Sequence, residues 1–311
     1  MQTVVITGAG GFLGGYIADA FTAAGWKVTG IGRSDSNQQS GRFAAFHRDD
    51  LSDVPRLLEI FNRETPDALV HLAAPASVPE SIRDSRRDFL AHTIPLLTVL
   101  EALRLGHSGA RIVVASSAAV YGDPESLPVT EDAPTMPISP YGFHKVQQEL
   151  LLREYVRIHR LRGCAARIFS TYGEGLRRLA VWDVTRRALA GAHEVLGTGD
   201  ETRDYLYAGD VGRAIVAIVE RAAFDGEPIN VASGQEVSIR TLAAEVYRLA
   251  GIAAEPRFTG EKLLGSPSHW RADISKLRSL GFDPPSWSRG LAETVSWIRA
   301  QTASVDHARR L

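Results

Sequence analysis

The sequence predicts an α/β fold, a doubly wound parallel sheet with a smaller C-terminal lobe. Short apolar runs alternate with helix-length segments through the first 169 residues, the pattern of a parallel sheet covered by helices. The runs are apolar throughout rather than alternating, as strands buried on both faces require. Beyond Phe169 the pattern loosens, and Gly and Pro punctuate residues 260–267 and 281–288, so the C-terminal part reads as loop-rich.

The elements follow in order. Residues 3–7 read as the first strand and 11–24 as the first helix, ended by Gly25. Strands are expected over 27–32, 68–73, 111–116 and 164–169. Between them, 52–64, 86–105 and 141–159 have helical length and composition. Further on, 183–189, 210–221 and 239–250 read as helices, with short strands near 194–196 and 228–231. The tail from Thr302 reads as a frayed end. The domain reading places the sheet domain in residues 1–169 with return segments near 205–232, and the second lobe in 170–204 and 233–311.

Composition narrows the setting. The chain has 311 residues and a formal net charge of -1, so nothing suggests a nucleic-acid or membrane-surface partner. Arg83, Arg86 and Arg87 read as a solvated helix face, and no apolar stretch reads as long enough to cross a bilayer. Cys164 is the lone cysteine and falls in a strand, hence a core residue in a reducing, cytoplasmic setting. No metal-ligand spacing is present.

Strand one runs into Thr7-Gly8-Ala9-Gly10-Gly11-Phe12-Leu13-Gly14. Gly8 permits a tight turn, Gly11 lets backbone approach a pyrophosphate, and Gly14 lets the helix pack on the sheet. The helix N-terminus then faces negative charge. Phe12 and Leu13 belong to the same dinucleotide cradle. After strand two the chain reads Gly32-Arg33-Ser34, with no carboxylate before Asp35. Arg33 and Ser34 suit a 2′-phosphate and lean toward NADP(H). The alternative leaves Arg33 on the adenine of NAD or in solvent.

A second constellation carries chemistry. Strand 111–116 leads into Ser117, and Tyr141 and Lys145 stand one turn apart on a helix. A nearby ammonium and an oxidised nicotinamide favour phenolate, so Tyr141 can take and return a hydroxyl proton during hydride transfer. Ser117 can hydrogen-bond the same oxygen. His144, between the pair, reads as a surface residue.

With these residues in place, the chain resembles the extended short-chain dehydrogenase/reductase family, in its nucleotide-sugar epimerase, dehydratase and reductase branch. The likeness spans nearly the whole chain and implies a Rossmann domain with a substrate-binding lobe. It implies Ser117, Tyr141 and Lys145 as catalytic, with Ser116, Tyr141 and Lys145 also at the cofactor. Asp50 and Leu51 are implied at the adenine, and His71-Leu72-Ala73-Ala74 along the cofactor. Thr202-Arg203-Asp204-Tyr205-Leu206-Tyr207 resembles the segment whose arginine grips a nucleotide diphosphate, implying Arg203. Ser77 and Ser117 complete the sugar side. Three departures stand out: Ser170 and His92 where asparagine is usual, and no arginine in 263–267, which leaves Arg271 as substitute. The resemblance also implies a homodimer through the long helices 86–105 and 141–159, one face of each packing on the chain's own sheet.

Within the family, the residues after Ser117 separate reactions. Dehydratases carry an acidic pair there and decarboxylases a glutamate; Ala118 and Ala119 can do neither job. An NAD(P)-dependent nucleotide-sugar epimerase acting at C4 through a keto intermediate is the leading reading. An NADPH-dependent 4-keto-sugar-nucleotide reductase is its rival, and a non-catalytic dinucleotide sensor is the reading from another class.

Overall fold

The computed structural model describes residues 1–34, 41–107, 109–261 and 267–308. The N-terminal half alternates as expected: β1 (Thr3–Thr7), α1 (Phe12–Ala23), β2 (Lys27–Gly32), β3 (Ala45–Arg48), α2 (Val54–Glu64), β4 (Ala68–His71). It continues with α3 (Val78–Arg83), α4 (Ser85–Gly106), β5 (Arg111–Ser117), α5 (Pro140–His159) and β6 (Arg162–Ile168). Next come β7 (Ser170–Tyr172), α6 (Leu179–Leu189), β8 (Glu194–Val195), β9 (Thr202–Arg203), β10 (Tyr205–Tyr207), α7 (Ala208–Arg221) and β11 (Asp225–Val231). The chain closes with β12 (Val237–Ser238), α8 (Ile239–Ala250), β13 (Arg257–Phe258), α9 (Ser275–Ser279) and α10 (Leu291–Ala308).

Seven strands form one parallel sheet in the order β11-β6-β5-β4-β1-β2-β3. The order reverses between β1 and β4, and the crevice at the carboxyl ends of strands at such a switch point is where open α/β sheets bind ligands. One face packs under α1 and α7, with Ile17, Phe21, Val211 and Ile215 buried against Val4, Ile6 and Val113. The other packs under α2, α4 and α5, with Leu57, Phe61, Leu100 and Leu152 against Val5, Leu69 and Ile112. Burial on both faces explains the unbroken apolar strands. Cys164 lies inside β6, where burial pushes its thiol up to about 12.

A third core sits apart from the sheet. There Val181 and Val184 of α6, Leu242 and Val246 of α8, and Leu291, Val295 and Ile298 of α10 pack together.

Several expectations need correction. The C-terminal part is more helical than its Gly and Pro content suggested, and α10 runs through Thr302 to Ala308, because its apolar residues close the third core. Arg83 lies on α3 while Arg86 and Arg87 lie on α4, all exposed. Helix α4 is long and apolar enough to cross a membrane by length and hydropathy, which the reading of the sequence did not expect. Its buried side chains, Leu96, Val99, Leu100 and Leu103 among them, instead pack on the sheet.

Candidate active site

The glycine turn forms a cradle at the end of β1. Gly8 has a φ of 69°, and a Cβ there would lie 2.8 Å from the Ala73 nitrogen. A Cβ on Gly14 would stand 2.2 Å from the Ala9 carbonyl oxygen, so α1 touches β1 only because no side chain intervenes. Gly11 caps α1 with no side-chain hydrogen bond. Side chains at Gly8 and Gly14 would collide with neighbouring backbone and break up the turn that leads into the α1 N-terminus, and the residues present therefore fit a dinucleotide.

A cavity of about 950 Å³ opens beside the cradle. Gly8, Gly11, Phe12, Leu13, Gly14, Leu72, Ala74, Ser77, Ser116, Ser117, Tyr141, Lys145, Ser170 and Arg203 all line it. Arg33, Ser34, Asp50, Leu51, Ala73 and Arg271 are not among its lining residues. Arg33 and Ser34 are exposed, with Ser34 against Gly10 and the Arg33 carbonyl accepting from Arg48 Nε at 3.1 Å. Asp35 lies outside the described residues. The Asp50 carboxylate accepts from Ser52 N and Oγ, and buried Leu51 bears a positive φ of 63°. Arg271 contributes backbone, its carbonyl accepting from Val129 N; its neighbour Trp270 faces the cavity instead.

The catalytic candidates converge. Ser117 ends β5, and Tyr141 and Lys145 occupy the first turns of α5, which Ser139 caps by accepting from Gly142 N. Lys145 Nζ lies 5.9 Å from the Tyr141 ring centroid and donates to the Ala115 carbonyl at 2.7 Å and Gln148 Oε1 at 3.0 Å. Burial pushes this ammonium down to about 8, with Asp88 and Glu149 holding it up. Burial also raises the Tyr141 phenol above its ordinary value, against the Ser117 hydroxyl and the positive charge of Arg178. The downward pull on the phenol thus comes from Ser117 and Arg178 rather than from the Lys145 ammonium expected to supply it, and burial outweighs that pull. Arg178 lines the same cavity and donates to the Ala76 carbonyl.

The other predicted contacts have local partners. Ser77 caps α3, and the Ser170 amide donates to the Asp204 carbonyl. The Ser116 hydroxyl donates to Glu149 Oε1 at 2.5 Å, so its hydroxyl serves the fold while its backbone borders the cavity. The Arg203 guanidinium donates to the Thr202 carbonyl and lies 5.5 Å from the Trp270 ring.

Behind Lys145 lies a buried cluster that the sequence reading missed. His144 is 6% exposed, not at the surface as expected, and its Nδ1 meets Asp88 Oδ2 at 2.6 Å. His92 Nδ1 donates to the Asp88 carbonyl at 2.8 Å, and its Nε2 is buried without a partner. These are metal-ligand types with ligand atoms within 4.8 Å of one another. The His144–Asp88 contact, however, is shorter than the ~3.3 Å that two ligands of one tetrahedral zinc keep, and is a hydrogen bond. The cluster spans two helices, so no local spacing announces it.

The fold and this site define a dinucleotide-dependent enzyme of the extended short-chain dehydrogenase type. A family model described as NAD dependent epimerase/dehydratase family matches residues 4–232. The chain is 32% identical to UDP-glucose 4-epimerase of Mycolicibacterium smegmatis, over 96% of this chain and 99% of that one. Among solved structures, UDP-glucose 4-epimerase of Thermotoga maritima, with UDP-glucose, superposes with a TM-score of 0.87 at 27% identity, over 96% of this chain and 99% of that one. UDP-glucuronic acid 4-epimerase of Bacillus cereus, with UDP-glucuronic acid and NAD, gives 0.86 at 28%, over 96% and 100%. The chain belongs to the NAD-dependent epimerase/dehydratase family.

Proposed function

We propose that the protein is a nucleotide-sugar 4-epimerase acting on a UDP-hexose. The observation that carries this reading is the convergence of Ser117, Tyr141 and Lys145 on one cavity beside an open glycine cradle, with Ala118 and Ala119 following the serine. The resemblance to UDP-sugar 4-epimerases along the full chain supports it. A dinucleotide held by the cradle of Gly8, Gly11 and Gly14 would supply the hydride acceptor and donor for C4. Tyr141 takes the C4 hydroxyl proton as the C–O bond becomes a carbonyl, and returns it when the carbonyl is reduced. Ser117 holds that oxygen, and Lys145 keeps positive charge beside the phenol. Arg203 and Trp270 bound the far side of the cavity, where we place the diphosphate and base.

We place dinucleotide binding in residues 1–169 with 205–232, and substrate binding in 170–204 and 233–311. NAD held through turnover suits an epimerase; the exposed Arg33 and Arg48 at the ribose end keep NADP as a second reading. Phe89, Leu90, Ile94 and Leu97 of α4 and Phe143 and Leu150 of α5 are exposed on two helices that pack together, and we assign this apolar surface to a homodimer. The buried lone Cys164 fits a cytoplasmic setting.

The test combines turnover with cofactor release. Purified protein given UDP-glucose and no added cofactor should form UDP-galactose, and denaturation should release NAD. Activity only as a net oxidation of added NADPH on a keto-sugar nucleotide would replace the epimerase by the reductase. Tyr141→Phe should lower kcat by about 100-fold or more; a variant as active as the parent would remove Tyr141 from the mechanism.

A further inference from the structure

Lys145 lines the cavity beside Tyr141, and its ammonium is anchored from behind. The side chain is 4% exposed, and two of its three N–H bonds are committed. One goes to the main-chain carbonyl of Ala115. The other goes to Gln148, which is 1% exposed and donates from Nε2 to the His92 carbonyl at 2.7 Å. The amide orientation is forced, because an ammonium only donates and a carbonyl only accepts. Gln148 therefore bridges Lys145 on α5 to the backbone of α4.

The chemistry of the bridge differs from its geometry. A water or a carboxylate in the same place could pass a proton, since each can gain one and lose another. A neutral amide cannot do so without becoming an imidic acid. The next residues are also unsuited to relay: His92 already donates from Nδ1 to the Asp88 carbonyl, and Asp88 in turn holds His144. His92 is additionally held neutral, its pKa pushed down to about 3 by burial and by the charge of Lys145. What this assembly does well is hold position. Asp88, His92 and His144 tie α4 to the first turn of α5 and so fix the carbonyl on which Gln148 hangs.

We propose that Gln148 is a positioning residue that clamps Lys145 and closes the rear of its ammonium to proton exchange. The inference rests on the epimerase reading, and it gives that reading a physical reason. An epimerase ends each cycle with the proton count it began with. A reductase consumes a proton at every turnover and gains from a path to solvent.

The experiment uses full-length protein loaded with NAD and labelled with 15N-lysine. Lys27, Lys145, Lys262 and Lys276 are the chain's lysines, and a Lys145→Arg sample assigns the signal. The ammonium of Lys145 should give a protected N–H resonance in the parent. In Gln148→Ala its exchange should be faster by about tenfold or more, as buried protons are when a local barrier is removed. Gln148→Glu keeps the size and the acceptor but can carry a proton, and it too should exchange faster than the parent. UDP-glucose turnover is read on the same samples, and Gln148→Ala should lose about tenfold in kcat with KM changed less than about twofold. Equal exchange in the parent and both variants, or an unprotected parent, overturns the clamp whatever the turnover. Protection intact with no turnover on any UDP-hexose overturns the epimerase reading, and the inference with it.

Discussion

Tyr141 and Lys145 are buried to different effect. The phenol gains from becoming neutral and the ammonium gains from losing its proton, so each disfavours the charge that the proposed mechanism asks of it. A bound dinucleotide would supply the positive charge that favours phenolate. A consequence is a narrow pH window. The Lys145 pKa of about 8 lies below the ordinary value, so the ammonium is present below that pH and is lost as the pH rises through it. Activity that depends on it should fall on the alkaline side, and a kcat profile from pH 6 to 10 would reveal the limb; a flat profile across that span would contradict it. Gly14→Ala should release the dinucleotide and lower stability, because the added carbon meets the Ala9 carbonyl. Mass spectrometry of the intact protein would show the loss. Such residues were legible because their meaning is local: glycines three apart after a strand, tyrosine and lysine four apart on a helix. Gln148, His144, Arg178 and Trp270 were not, since each also takes a partner far along the chain.

At the level of elements, one carboxylate joins the C-terminal segments. Asp204, fully buried between β9 and β10, accepts from Ser233 N and Oγ, from Gly234 N and from Ala272 N. Asp204→Ala should cost about 3 kcal/mol or more, because these donors lose their acceptor in a dry site. Burial pushes the Asp204 pKa up to about 6, against those hydrogen bonds. A raised folded-state pKa means a contribution that is complete below the unfolded value of about 3.9 and lost as pH rises through about 6. The stability penalty of Asp204→Ala should therefore be larger at pH 4.5 than at pH 7.5, which paired urea titrations would check. The sequence reading took this aspartate as part of a diphosphate-binding run. Nothing in its neighbours hinted that it receives bonds from two later segments. Helix α5 is fixed similarly, by the bidentate Arg167–Glu149 pair at 2.9 and 2.8 Å inside the core. The elements missed from sequence were mostly strands of two or three residues, too short for any periodicity, and the half-buried edge strand β3.

For the whole molecule, the exposed apolar surface on α4 and α5 carries the clearest expectation. Paired Leu97→Glu and Phe143→Glu substitutions should turn a dimer into a monomer in sedimentation, with the fold retained because both side chains are solvent-facing in the single chain. A parent that sediments as a monomer would leave the surface without that role. The sheet order has a different consequence. Its outermost strand on one side, β11, comes from beyond residue 224 and pairs with β6. On the proposed division, the lobe that closes the cavity is thus spliced in as two separate stretches, with a piece of the sheet domain between them. A chimera that exchanged everything after residue 169 would import a foreign edge strand and α7 along with the new specificity. Recombination between relatives has to cut at three places to swap the sugar-facing half cleanly, so this architecture changes its substrate more readily by point substitution than by exchange of parts.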